Sequence, residues 1–134
     1  MWDVTTDSKI SETNPIAGKK LISTLVTASD GNIWGIADEY LFVLSPVDSS
    51  VIHSQRLLAN DIVYTAEAWH RATLVDGEDG YVYGVNYGHF FKVNVSTKTV
   101  TEMEPADCGK RLTRDANGDL YFFDESGELF RYQQ

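Results

Sequence analysis

The sequence has one cysteine, Cys108, so no disulfide can form within the chain. No apolar run approaches the roughly 18 residues of a membrane-spanning helix. The first ten residues, MWDVTTDSKI, have neither the basic nor the apolar region of a signal peptide. We therefore expect a soluble chain without a membrane segment or signal peptide, and the cellular compartment stays open because a single cysteine fits either redox environment.

Basic residues are outnumbered by acidic ones. Eleven lysines and arginines stand against 20 aspartates and glutamates, which gives a formal charge of −9. Nucleic acids and anionic membranes are recognised by net basic faces, so we expect neither as a partner. Long helical stretches are also missing, while β-branched and aromatic residues occur in short runs that favour strands. With 134 residues, the chain is predicted to form one all-β domain over residues 1–134.

One short motif recurs along the chain. It reads DGNIWG at residues 30–35, DGYVYG at 79–84 and, in weaker form, NGDLYF at 117–122. Glycine supplies the positive φ that a tight hairpin turn needs. Each copy lies between an alternating strand and an aromatic strand, which predicts three copies of one four-stranded unit. The predicted units span residues 21–58, 72–104 and 110–134, and residues 59–70 form an insertion.

Four short strands per unit of roughly 40–50 residues are typical of β-propeller blades. DGNIWG with YLFVLSPVDSSVI, DGYVYG with HFFKVNVSTKTV, and NGDLYF with ELFRY resemble blades of bacterial quinoprotein-like, YVTN-type and streptogramin-lyase-like propellers. The resemblance implies the fold and no particular activity, since propellers host many functions. Streptogramin-lyase-like propellers use a catalytic histidine with a glutamate and a divalent metal. None of His53, His70 and His89 aligns with such a motif.

The predicted strands are offset along the chain. With blade strands named a to d from the axis outward, the chain supplies d, abcd, abcd and abc, and the first d strand is expected at residues 9–14. The polar turns align so that Ile10, Val51 and Val100 are equivalent. Propellers have about four to eight blades, so three are not expected to close alone.

We therefore expect a homodimer that closes a six-bladed ring, in which residues 9–14 of one chain complete the last blade of the other. Three alternatives remain open: another oligomer or partner chain, the remaining blades of a longer chain, and a non-propeller sandwich or open sheet.

Basic and aromatic residues gather near the segments that lead into strand a. In a propeller, these segments and the b–c loops open on one face, where ligands bind. A ring of positive charge there predicts an anionic small ligand, and the aromatic side chains predict a sugar or a peptide. The alternative is that these charges are solvated and the aromatics only fold the insertion back. The candidate ligand-binding residues are Lys19, Lys20, Tyr64, Trp69, His70, Arg71, Tyr87, His89, Lys110 and Arg111.

No catalytic motif is visible in the sequence. The histidines lack metal-ligand spacing, and the run from Asp115 to Asp119 lacks the glycine of a calcium loop, so neither a metal nor a cofactor is expected. Trp34, Tyr83 and Tyr121 share one strand-b position and are predicted to pack between blades. The favoured function is a non-catalytic binding or scaffolding module. A lectin-like sugar binder and an enzyme of the lyase or hydrolase kind are the alternatives.

Overall fold

A computed structural model of the chain describes residues 2–9, 12–19, 22–57, 72–86, 88–124 and 126–134, with only the backbone for Trp2 and for residues 104–110. These ranges contain twelve β-strands, and none of them includes a helix long and apolar enough to span a membrane. The strands are β1 Trp2–Asp3, β2 Ser8–Lys9, β3 Ile22–Thr27, β4 Ile33–Ala37, β5 Tyr40–Leu44, β6 Val51–Arg56, β7 Thr73–Asp76, β8 Tyr81–Asn86, β9 Gly88–Asn94, β10 Val100–Arg114, β11 Leu120–Asp124 and β12 Leu129–Tyr132.

Strands β3 to β12 form three antiparallel units in chain order. Unit 1 is the four-stranded sheet β3 to β6. The strands β7 to β12 form one six-stranded sheet, in which β10 pairs with β9 near its start and with β11 near its end. Unit 2 is therefore β7 to β10 and unit 3 is β10 to β12. The all-β prediction is confirmed, with three units of three or four strands.

The long strand β10 differs from the prediction, which placed a break between residues 104 and 110. The backbone continues as one strand of 15 residues. Register shifts follow Met103 and Cys108. The start of the strand therefore pairs with β9 in unit 2, and its end pairs with β11 in unit 3. A bulged strand of this kind changes direction without losing its pairing.

The recurring turns have the predicted geometry. Gly31, Gly80 and Gly118 have φ values of 78°, 90° and 97°. In the first turn, Trp34 donates a hydrogen bond from Nε1 to Asp30 Oδ1 at 3.1 Å. In the second turn, the Tyr83 hydroxyl donates to Asp79 Oδ2 at 2.8 Å. The aspartate of the motif thus fixes both the turn and the aromatic residue four positions later.

Two apolar cores lie between the units, one on each side of unit 2. Trp34 is fully buried in the first core and Tyr83 is buried in the second, as predicted, whereas Tyr121, the third residue at this position, is half-buried and belongs to neither core. Lys98, from a turn of unit 2, lies 4.5 Å from the Trp34 ring centroid and 3.6 Å from Asp30 Oδ2. Adjacent units are therefore joined by side-chain packing between their sheets, as in stacked blades.

The N-terminal segment differs from the predicted strand over residues 9–14. The strands β1 and β2 form a hairpin that pairs Trp2 with Lys9, and residues 12–14 lie outside strands. Asp7 in this hairpin has a φ of 51°, close to the values of Ser49 and Lys98 in the c–d turns. Since Val51 and Val100 each follow their turn residue by two positions, Lys9 is their equivalent. The predicted alignment on Ile10, which lies outside the described residues, was shifted by one.

Candidate binding face

One end of the sheets carries both the b–c loops and the segments that precede strand a. We call this end the loop face. The strand directions place there the end of β4, the start of β5 and the end of β8. The a–b and c–d turns lie at the opposite end, because each strand reverses direction relative to its neighbour. Residues on the loop face are thus separated from the turn motif that defines the repeat.

The b–c loop of unit 1 holds a buried carboxylate. Asp38 occupies the left-handed backbone region with a φ of 53°. Its side chain is only 12% exposed, and none of the described residues donates a hydrogen bond to its buried Oδ1. Burial raises the pKa of Asp38, and the nearby charge of Lys19 offsets this only in part. A buried oxygen without a donor is costly, and such costly groups concentrate at functional sites.

Lys19 compensates part of this negative charge. Its Nζ donates to Glu39 Oε1 at 2.7 Å and lies 3.9 Å from Asp38 Oδ2. The same ammonium lies 5.6 Å from the Tyr40 ring centroid. Burial acts to raise the pKa of Glu39, but the hydrogen bond from Lys19, a backbone hydrogen bond and the charges of Lys19 and Arg56 together outweigh burial, so the pKa lies below its ordinary value. Any anion at Lys19 therefore competes with Glu39.

Two further contacts fix this loop in place. The buried Asn86, at the end of β8, donates from Nδ2 to the Asp38 carbonyl oxygen at 3.4 Å. The backbone N–H of Leu57 donates to the Glu39 carbonyl oxygen at 2.9 Å. The loop of unit 1 is therefore tied both to its own strand d and to unit 2. Because it is anchored on both sides, Asp38 is held in position before any ligand arrives.

A histidine–glutamate pair lies elsewhere at this end of unit 2. Nδ1 of His89, on β9, is hydrogen-bonded to Oε1 of Glu102, on β10. Both side chains are partly exposed, and their strands correspond to c and d of the repeat. The pair thus lies on the outer strands, away from strand a, where a propeller axis would run.

The structure brings together only some of the predicted site residues. Lys19 joins Asp38 and Glu39, His89 pairs with Glu102, and Arg111 is exposed with a φ of 54°. For Lys110, the structure describes only the backbone. The remaining candidates, Lys20, Tyr64, Trp69, His70, Arg71 and Tyr87, lie outside the described residues.

Sequence reasoning missed Asp38, Glu39 and Asn86 because it looked for basic residues. A signal was present: a two-residue connection between strands requires a left-handed residue, and aspartate tolerates that backbone better than most. Within the described ranges, no group of three or more His, Cys, Asp or Glu side chains could hold a metal ion.

The chain matches no protein-family model, and the search of curated proteins gives no match. Solved structures do resemble it. A catalytically inactive histidine-to-alanine variant of virginiamycin B lyase from Staphylococcus aureus, a β-propeller solved with quinupristin, superposes with a TM-score of 0.64 at 15% identity. The match covers 94% of this chain and 45% of the lyase. This chain is built from propeller blades.

The extracellular domain of BT4673 from B. thetaiotaomicron superposes on the blades with a TM-score of 0.61 at 13% identity. That match covers 85% of this chain and 14% of the other. The chain thus spans less than half the length of either neighbour. At these identities the likeness establishes the fold of the blades. The three units described above are called blades 1 to 3 from here on.

Proposed function

We propose that the chain is a non-catalytic binding or scaffolding module of propeller blades that presents its loop face to a ligand or protein partner. The observation that carries the proposal is Asp38. Its buried Oδ1 accepts no hydrogen bond from the described residues, while Asn86 and Glu39 hold the loop in place. A partner that donates a hydroxyl, amide or ammonium hydrogen satisfies this oxygen. A sugar is one such donor, which keeps the lectin-like alternative within the same proposal.

A glycan array and a peptide array, each probed with the purified chain, test the proposal. Hits are then titrated by tryptophan fluorescence. We expect Asp38→Asn to weaken binding at least tenfold, because the amide keeps only one acceptor oxygen. The control is Asp48→Asn, which makes the same change in a turn at the opposite end and leaves binding intact. Equal binding by wild type and Asp38→Asn would count against the loop face.

Asp38→Asn is also predicted to stabilise the free protein by about 0.5–1.5 kcal/mol at pH 7, since it removes a buried charge that Lys19 offsets only in part. Because burial raises the folded pKa of Asp38, its ionisation costs stability as pH rises through that pKa. The difference between variant and wild type should therefore grow from pH 3 to pH 7. Urea unfolding at several pH values measures it, and a difference that shrinks over this range contradicts the assignment.

A second candidate function is catalysis of the lyase kind, favoured by the His89–Glu102 pair. A histidine oriented by a carboxylate can act as a general base. Quinupristin, present in the neighbouring lyase structure, is the substrate to try first. Incubation with and without Mg²⁺, followed by chromatography, detects turnover. Activity that is lost in His89→Gln supports this candidate, and no turnover under either condition argues against it.

A further inference from the structure

The chain builds the same contact between blades twice. We call the side of a blade that packs on the preceding blade its leading face, and the opposite side its trailing face. Side chains of the two trailing faces pack on those of the two leading faces in the two cores. The trailing faces include Trp34, Ile36 and Leu41 of blade 1 and Tyr83, Val85 and Phe90 of blade 2. The leading faces include Leu74, Val82 and Phe91 of blade 2 and Leu112, Leu120 and Phe130 of blade 3.

The leading face of blade 1 has no blade on it in the described structure. Leu25 occupies the repeat position of Leu74 and Leu112, six residues before the turn glycine. Leu74 and Leu112 are each 4% exposed, whereas Leu25 is 58% exposed. The same residue type at the same position therefore differs only in whether a neighbouring blade covers it.

The trailing face of blade 3 shows the matching difference. Leu129 occupies the repeat position of Leu41 and Phe90, which are both fully buried, yet it is 60% exposed. Phe123 occupies the position of Ile36 and Val85 and is 42% exposed, while they are fully buried. Blade 3 thus carries the trailing half of an interface whose leading half lies free on blade 1.

The free leading face forms an apolar groove of about 330 Å³. The N-terminal segment borders it, since Thr13 Oγ1 donates to the Ser49 carbonyl oxygen and Pro15 is buried. The groove is lined by Thr13, Pro15, Ile22, Leu25, Ile33, Phe42, Leu44 and Ser49. Exposed apolar surface of this kind is typical of an interface in a folded protein.

We propose that the trailing face of blade 3 in one copy of this chain packs into the groove on blade 1 of a second copy. The contact continues an interface that the chain already builds twice, so the occupant is specified by the repeat. In the second core, the Phe90 ring lies 5.5 Å from the Tyr132 ring between centroids. Leu129 occupies the repeat position of Phe90, and Leu44 occupies that of Tyr132. In the proposed contact, Leu129 of one copy therefore contacts Leu44 of the next.

The two faces are different surfaces, so the contact is head-to-tail and is satisfied on both sides only in a closed ring. Two copies give six blades, which falls within the four to eight that propellers use. In this ring, the open edge of β12 lies beside the partner's N-terminal segment. The alternative occupant is a further blade of a longer chain, in which case this chain alone stays monomeric.

The first test measures mass by size-exclusion chromatography with light scattering over a range of concentrations. Wild type is expected at twice the 15.0 kDa chain mass. Leu129→Glu places a charge in the contact and should weaken association at least tenfold. Val47→Glu is the control: it adds the same charge at a turn residue that is 88% exposed and outside both faces, and it should remain dimeric. A strictly monomeric wild type overturns the proposal.

The second test identifies the orientation. In a Cys108→Ser background, Leu44→Cys and Leu129→Cys are prepared as separate single-cysteine chains and treated with a short bismaleimide. A head-to-tail contact gives cross-linked dimers when the two chains are mixed, and little product from either alone. Cross-linking within either single preparation at equal yield indicates a symmetric contact and overturns the proposed one. Far-UV circular dichroism of each variant separates loss of assembly from loss of folding.

Discussion

Leu74→Ala is expected to lower the free energy of unfolding by about 3 kcal/mol, whereas Leu25→Ala lowers it by less than about 0.5 kcal/mol. The substitution is the same, and the two leucines occupy the same position of the repeat. Leu74 is 4% exposed in the core between blades 1 and 2, so truncation removes buried contacts and leaves a cavity. Leu25 is 58% exposed, and its truncation leaves mainly a solvent-facing gap.

Urea unfolding followed by tryptophan fluorescence measures this pair. Both variants are best made in the Leu129→Glu background, so that a second copy does not cover Leu25. Leu112→Ala is a further positive control, because Leu112 is 4% exposed in the second core. If Leu25→Ala and Leu74→Ala cost the same, the stacking of blades 1 and 2 is wrong. If Leu112→Ala alone is mild, blade 3 is loosely packed on blade 2.

The repeat was predictable because it depends on local chemistry. A glycine with positive φ and an aspartate that accepts hydrogen bonds from its own turn need no long-range information. Gly31 and Asp30 therefore marked the first hairpin, and the three units followed from counting such turns. Burial of Trp34 was predictable for the same reason, since its position recurs with the turn.

The contacts that make the loop face were not predictable from pattern. Lys19 and Glu39 are 20 residues apart, and Asn86 contacts Asp38 from 48 residues away. Such pairs depend on how the blades stack, which local sequence does not record. The sequence predicted a ring of basic residues at the loop face. Among the described residues, Lys19 is already paired with Asp38 and Glu39. The side chains that could complete that ring lie largely outside the described residues.

The long strand β10 shows a different limit. Pro105 and Gly109 between the predicted second and third units favour a break, because both residues disfavour regular pairing. The backbone instead continues as a strand with register shifts on both sides. A β-bulge accommodates residues that do not fit the hydrogen-bond ladder. A proline or glycine in such a segment can therefore coincide with a bend in the strand and need not end it.

Gly84→Ala is expected to lower the free energy of unfolding by about 2–3 kcal/mol. A Cβ at Gly84 meets Phe91 Cζ at 2.4 Å and Leu74 Cδ2 at 2.8 Å. Phe91 is fully buried and Leu74 nearly so, which leaves neither side chain room to move. Alanine in place of glycine restricts the unfolded chain and so favours folding by roughly 0.5–1 kcal/mol. The clash outweighs this gain because the core is closed on both sides.

Gly35→Ala is the matched control, with the same cross-strand neighbours in blade 1. Its Cβ meets Phe42 Cζ at 2.3 Å and Leu25 Cδ2 at 2.8 Å, so the initial overlap is equally severe. Leu25 is exposed and can move aside, and the Phe42 ring, although fully buried, lines the groove and can shift into it. We expect a cost of about 1 kcal/mol for the isolated chain. Equal costs at both positions would mean that the groove face is as confined as the core.

Blade 3 shows how the fold accommodates a side chain at this position. Phe122 replaces the glycine, and its ring stacks on Phe130 with centroids 5.7 Å apart and planes 9° from parallel. A larger residue is thus tolerated when the facing aromatic ring lies beside it. Phe91→Leu should therefore relieve Gly84→Ala, so that the double variant loses less stability than the two single losses combined. Simple additivity in chemical denaturation would show that the Phe91 ring is not what excludes a side chain at Gly84.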